Sequence, residues 1–206
     1  IDVSLDYWIR CIDYFCGYLY GSIPFALVIG KLFYKTDVRN YGSGNLGGTN
    51  TGRVLGKKAG VAVILLDASK ALIVTLLARY ILNALNLNSD VAYICALACV
   101  IGHCYPIFAG FKGGKAVSTA IGFFFTVTPL GSILALLVFF IVLKISKYVS
   151  LSSVLASGSV LFAVPFLDIS LVGKIVVAAV ILILIYRHRS NLKRVINGTE
   201  SKIKWM

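Results

Sequence analysis

The run from Ala59 to Leu85 constrains what this chain can fold into more than any other stretch, because its only charged residues are Asp67, Lys70 and Arg79. A helix needs about 20 apolar residues to cross a hydrocarbon core of about 30 Å. Inside that core a segment must satisfy its own backbone hydrogen bonds, and runs of this length do so as helices. Similar runs recur at about Ile9–Phe33, Val91–Phe108, Ala116–Leu143, Tyr148–Phe166 and Ser170–Tyr186. Hydrophobic residues fill 59% of the 206 positions and charged residues 14%, whereas a soluble domain sits near about half and about a quarter. The sequence therefore predicts an all-α, polytopic transmembrane helical bundle. Residues 1–206 are expected to form one integral-membrane domain, with no separate soluble domain. No signal-peptide cleavage pattern stands out before the first apolar run.

Two runs are interrupted. Tyr20-Gly21-Ser22-Ile23-Pro24 breaks the first, since proline removes a backbone hydrogen bond and bends a helix. Ser22 there either satisfies a freed carbonyl or faces a polar cavity. Thr128-Pro129-Leu130-Gly131 breaks the fourth, and folding it into a hairpin at Pro129 keeps Lys144, Lys147 and the basic C-terminus on the side of the other cations. Counting both arms as crossings predicts seven spans. Sixteen of the 20 Lys and Arg then share one side: six in Lys31–Lys58, Lys112 and Lys115, Lys144 and Lys147, and six after Tyr186. The other side carries Asp2, Asp6, Asp90, Asp168 and Arg10. Basic loops face the cytoplasm, so the N-terminus is expected outside and the C-terminus in the cytoplasm. The net charge of +12 lies in these short loops, which argues for topology and against nucleic acid as a partner. Cys11, Cys16, Cys95, Cys99 and Cys104 all lie in apolar surroundings and form no Cys-x-x-Cys pair, as expected of membrane-core residues.

Three polar clusters interrupt this apolar background. Gly102–Thr119 reads GHCYPIFAGFKGGKAVST. Its Lys112-Gly113-Gly114-Lys115 opens a predicted helix, where close-approaching backbone N–H groups, the helix dipole and two lysines can cradle an anion. A plain basic turn between membrane helices is the alternative. The second cluster, Lys31 to Lys58, holds VRNYGSGNLGGTNTGR, whose glycines, asparagines and hydroxyls suit a loop wrapped around an anion better than a linker. The third is the tail RHRSNLKRVINGTESKIKWM, in which His188 and Asn191 share a helical face. It otherwise reads as the cationic flank of a last helix. Asp67 and Lys70 are three apart and can pair on their helix; ionisable groups inside a membrane run are functional candidates.

The clusters exclude several chemistries. There is no Gly-x-Ser-x-Gly elbow, and GFKGGKAVST and GRVLGKK each have one residue too few between glycines for a P-loop. His103 and His188 lack partners at metal-ligand spacing, so no metal or other cofactor is expected. Only Asp37 and Glu200 are acidic in the predicted cytoplasmic segments. That balance suits small anionic substrates handled at the lipid boundary.

Three segments resemble the signature blocks of the bacterial acyl-phosphate:glycerol-3-phosphate acyltransferases: GSIPFALVIGK continuing to DVRNYGSGNLGGTN, then GHCYPIFAGFKGGKAVST, then RHRSNLKRVINGTE. The LLDASK run around Lys70 is also similar. Gly48 stands where that family usually has alanine, and Ala116 where it usually has glycine. The resemblance implies a multi-pass enzyme of the bacterial cell (inner) membrane with its active site on the cytoplasmic side. It would transfer a fatty acyl chain from acyl phosphate to the 1-hydroxyl of glycerol 3-phosphate, releasing lysophosphatidic acid and phosphate in phospholipid biosynthesis. Its partners would be those two substrates and membrane lipids. On this reading Lys112, Gly113, Gly114 and Lys115 hold the acyl-phosphate group. Ser22, Arg39, Ser43, Gly44, Asn45, Thr49, Asn50, His188 and Asn191 hold glycerol 3-phosphate, and Lys70 and His103 line the site. Lys115, Arg39 and His188 are the catalytic candidates. The proton acceptor is His188 or the departing phosphate. Thioester-using relatives carry a His-x4-Asp pair; here Phe108 follows His103, and Lys193 follows His188, at that spacing. A small membrane transporter of phosphorylated or organic anions is the alternative, using the breaks at Pro24 and Pro129 as its pathway.

Overall fold

The structure is a computed structural model that describes residues 3–203. Asp2, counted above on the outer side, and Lys204, counted among the tail cations, lie outside the described residues. Among the described residues every regular element is helical, as expected. The chain packs as two compact units, residues 1–123 and 124–206.

In the first unit, α1 (Val3–Gly21) and α2 (Phe25–Tyr34) are separated at Pro24 and bent by 41°. A short α3 (Gly48–Leu55) leads into α4 (Lys57–Ala84), which contains the whole Ala59-to-Leu85 run except its last residue. Next come α5 (Val91–Cys104) and α6 (Val117–Val127), whose first half belongs to this unit. These helices meet through small residues, which is how helices associate in lipid, where burying one apolar surface against another gains little. Gly21 of α1 lies against the Cys99 carbonyl of α5, and Gly102 of α5 against the Tyr18 carbonyl of α1. Gly48 and Gly52 of α3 face Gly60 of α4, and Gly122 of α6 faces the Ala68 carbonyl. Gly48 has no room for the methyl that the family usually carries there, because Ile64 and the Gly60 carbonyl fill the space.

In the second unit, Thr128 accepts a hydrogen bond from the Gly131 N–H at 3.2 Å and Pro129 opens α7 (Pro129–Ser146). Proline in the first turn costs nothing, since its missing N–H has no intrahelical partner there. Packed against α7 is α8 (Val149–Ala163), which buries Ser152, Ser153 and Ser157. Each of those hydroxyls donates to the carbonyl four residues back at 2.8 Å. Then α9 (Leu171–Arg187) bends by 50° into α10 (Arg189–Ile196).

Among the described residues, four helical segments are long and apolar enough to cross a membrane, or up to six if each bent pair counts as one. The seven crossings expected above required both arms at Pro129 to span. Helix α6 has 11 residues, roughly 16 Å at 1.5 Å per residue, about half the hydrocarbon thickness. The loop before Val117 and the break before Pro129 use up the remaining apolar residues. Leu65, Leu76, Leu77 and Tyr80 of α4 are exposed, as are Ile133, Leu137 and Ile141 of α7. Such large apolar surface is what a lipid-facing wall presents.

Candidate functional site

The polar centre of the first unit forms where Pro24 interrupts the α1–α2 run. Lys70 reaches across from α4, 1% exposed, and donates to the carbonyls of Gly21 at 3.2 Å and Ile23 at 2.5 Å. Its ammonium also contacts Asp67 Oδ1 at 2.8 Å and lies 4.8 Å from the Phe25 ring centroid. Asp67, 2% exposed, offers the same oxygen to His103 Nδ1 at 3.6 Å. Ser22 is 0% exposed, and among the described residues its Oγ has no hydrogen-bond partner. A cavity of about 10 Å³, roughly one water in size, is lined by Gly21, Asp67, Lys70, His103 and Gly113 among others.

Two loops lie over this centre. In the first, Asn50 is the hub: its Oδ1 accepts from the Ser43 N–H at 2.8 Å, and its Nδ2 donates to the Val38 and Tyr41 carbonyls at 3.0 and 3.2 Å. Arg39 forks onto Asp37 at 2.6 and 3.0 Å. The Arg39 side-chain hydrogen bond pushes the Asp37 carboxyl down to about 2. That pairing stabilises the loop at all pH above the ordinary aspartate range and is lost only as pH falls through about 2. Ser43 and Thr49 are exposed, while Gly44 and Asn45 are half-buried. Asn45 donates to the Gly113 carbonyl at 3.2 Å and so ties this loop to the second one.

The second loop, between α5 and α6, is shaped by left-handed residues at Gly110, Phe111 and Ala116. The Gly113 N–H donates to the Cys104 carbonyl at 3.2 Å, and the Gly114 N–H to the His103 carbonyl at 3.0 Å. Both N–H groups, expected to face an anion, are turned here to carbonyls of the chain itself. The glycines serve close approach instead, since a Cβ on Gly113 would meet the His103 carbonyl and one on Gly114 the His103 ring. Donors toward an anion are left to the first turn of α6, to half-buried Lys115 and to exposed Lys112. Asn50 braces its own loop. Lys70 lines the polar centre with its three N–H hydrogens facing three acceptors.

Ala116 has φ +65° and is 0% exposed. A left-handed non-glycine residue costs about 1–2 kcal/mol, against about 0.8 kcal/mol for the buried methyl. Ala116→Gly is expected to raise the thermal inactivation midpoint in detergent slightly, with kcat unchanged.

In the second unit the tail folds on Glu200, which sequence reasoning did not single out. Glu200 Oε1 accepts from Asn191 at 2.7 Å and Ser150 at 2.9 Å, and Oε2 from Arg194 at 2.8 Å. Burial pushes its carboxyl up, but these donors outweigh that and hold it below the usual range. His188 is 3% exposed at the α9–α10 bend, with Nδ1 2.8 Å from the Leu184 carbonyl. A carbonyl only accepts, so Nδ1 carries the proton of this contact. Glu200 and Thr119, whose buried Oγ1 has no partner among the described residues, are the functional candidates missing from the sequence-based site. No cluster of metal-ligating side chains occurs among the described residues.

The fold and its centre define a multi-pass helical membrane protein with a buried, charge-compensated core beneath two glycine-rich, basic loops. Residues 11–198 match the family model described as glycerol-3-phosphate acyltransferase. A glycerol-3-phosphate acyltransferase of Listeria monocytogenes serotype 4a is 47% identical over 92% of this chain and 94% of its own length. Glycerol-3-phosphate acyltransferase 2 of Bacillus anthracis is also 47% identical, over 91% and 95%. Among solved structures, PlsY (YgiH), an integral membrane glycerol 3-phosphate acyltransferase in its glycerol 3-phosphate form, superposes with a TM-score of 0.87 at 38% identity. That match covers 95% of this chain and 96% of the other. The lysophosphatidic acid form gives 0.85 at 37% identity, over 95% of each chain. The chain belongs to the glycerol-3-phosphate acyltransferase family.

Proposed function

We propose that the protein transfers a fatty acyl group from acyl phosphate to the 1-hydroxyl of glycerol 3-phosphate, giving lysophosphatidic acid and inorganic phosphate. The observation that carries this reading is the Asn45–Gly113 hydrogen bond. It joins one glycine-rich loop to another above a buried polar centre, as two phosphorylated substrates meeting at one site require. The PlsY structures in glycerol 3-phosphate and lysophosphatidic acid forms support the acceptor and the product. For the donor, the reading rests on chemistry. An acyl phosphate is already activated, so attack by the glycerol hydroxyl needs positioning, neutralisation of the leaving phosphate and a proton acceptor, with no covalent enzyme intermediate.

In this scheme Lys112, Lys115 and the first turn of α6 receive the acyl-phosphate group, with Gly113 and Gly114 holding that loop down on His103. Ser22, Arg39, Ser43, Gly44, Asn45 and Thr49 receive glycerol 3-phosphate. The site opens to the cytoplasm of a bacterial inner membrane, as the basic loops indicate. Single cysteines introduced into a cysteine-free background test that orientation: a membrane-impermeant thiol reagent added outside should label position 86 and spare position 40.

The function is tested by phosphate release from palmitoyl phosphate by purified protein. Release that requires glycerol 3-phosphate and yields lysophosphatidic acid is expected. Comparable turnover with acyl coenzyme A as sole donor would overturn the donor assignment. Arg39→Ala removes a charge-assisted hydrogen bond of about 1.5–3 kcal/mol, where about 1.4 kcal/mol is tenfold. It is expected to lower kcat/KM by about tenfold to a hundredfold, mainly by raising the KM for glycerol 3-phosphate.

A further inference from the structure

We infer that Lys70 and Asp67 form a buried clamp that positions Ser22, and that neither touches substrate. The Ser22 N–H still donates to the Tyr18 carbonyl at 2.9 Å, but the carbonyls at the break lose helical donors: Pro24 has no N–H to donate, and the Phe25 N–H turns to the Ile23 carbonyl at 3.1 Å. The carbonyls on either side of Ser22, those of Gly21 and Ile23, both accept from Lys70 Nζ. An ammonium has three hydrogens, and Asp67 Oδ1 takes the third at 2.8 Å. Lys70 is thereby saturated and sealed at 1% exposure, so it has no donor left for a phosphate. Its geometric effect is to fix the Gly21–Ser22 and Ile23–Pro24 peptide planes, one on each side of the Ser22–Ile23 peptide, and these restrict the direction of the Ser22 hydroxyl. That hydroxyl is the buried polar atom without a partner among the described residues.

Asp67 has two uses in the clamp. It compensates a charge that could not otherwise be buried, and its Oδ1 also faces His103 Nδ1 at 3.6 Å. His103 in turn underlies Gly114. One carboxylate therefore braces both the break that carries Ser22 and the loop that carries Lys112 and Lys115.

This inference rests on the proposed role of Ser22 as a substrate contact, so the parent protein and Ser22→Ala are assayed first. Acyl-phosphate-dependent turnover by the parent, and a loss of about tenfold or more in Ser22→Ala, establish that role independently of the clamp. Removing one partner of a buried ion pair is strongly destabilising, whereas replacing both by groups of similar volume is far better tolerated. The test is therefore the double variant Asp67→Asn/Lys70→Met, compared with each single variant and with the triple variant that adds Ser22→Ala. The double variant is expected to regain most of the thermal stability lost by Lys70→Met. Its activity should stay about tenfold or more below the parent, through the same kinetic constant that Ser22→Ala alone moves. Adding Ser22→Ala should then cost less than about twofold further, since residues acting as one unit are non-additive. Activity that recovers together with stability would show the pair to be purely structural and overturn the inference. So would losses that multiply in the triple variant. If the double variant fails to fold, Asp67→Asn alone decides, because asparagine keeps one oxygen for Lys70. It should move the Ser22 constant, and parent-like kinetics would overturn the clamp.

Discussion

Gly114→Ala is expected to lower kcat by about a hundredfold or more while leaving the KM for glycerol 3-phosphate within about twofold of the parent. A Cβ on Gly114 would be driven into the His103 imidazole, with ring atoms at 2.6 and 2.9 Å among its nearest neighbours. His103 cannot withdraw easily. It is 6% exposed, its carbonyl accepts the Gly114 N–H, and its Nδ1 side faces Asp67. The loop must lift instead, carrying Lys112 and Lys115 away from the place proposed for the donor phosphate. Near-attack geometry tolerates little such movement, since a misplacement of about 1 Å can cost about a hundredfold. Steady-state kinetics with palmitoyl phosphate check the effect, and a thermal melt separates loop displacement from loss of fold. Parent-like kcat in a folded Gly114→Ala protein would remove this loop from the mechanism.

The second large effect is expected from His188→Ala. The Leu184 carbonyl fixes a proton on Nδ1, so Nε2 is the nitrogen that a general-base role would use. A general base contributes about a hundredfold to ten-thousandfold. His188→Ala should therefore lower kcat by at least about a hundredfold at saturating substrates. His188→Asn can restore the Nδ1-type donation to Leu184 without a titratable lone pair, so it should keep the stability of the parent and not its rate. A loss confined to KM in either variant would assign His188 to binding alone and leave the departing phosphate as the proton acceptor.

How much of this was readable beforehand depends on the range of each interaction. The break at Pro24 and the cap at Thr128–Pro129 were legible because proline acts on its own turn of helix. The Asp67–Lys70 pairing was legible because three residues is a helical neighbour distance. The carbonyls that Lys70 serves were not, because they lie 49 and 47 positions away. Glu200 escaped notice for the same reason, as its Ser150 donor is 50 residues distant. Gly113 and Gly114 were recognised as necessary, but the His103 carbonyl and ring that they approach were not. Composition marks where backbone can come close to something, and it does not say whether that something is a phosphate or a histidine. Asn50 is similar: an asparagine among glycines looks the same whether its amide faces a ligand or holds its own loop.

Hydropathy and charge by themselves determined an all-helical membrane protein and the three basic clusters, because each is set by the transfer of short segments between water and lipid. The prolines determined where its helices break, because each acts on its own turn. The tertiary structure alone decided that α6 is too short to cross unaided. It also decided that the glycine N–H groups turn inward and that Lys70 is saturated by the chain it braces. Those outcomes depend on which distant carbonyl, carboxylate or ring fills the last few ångströms around a polar atom, and that is settled only when the helices pack.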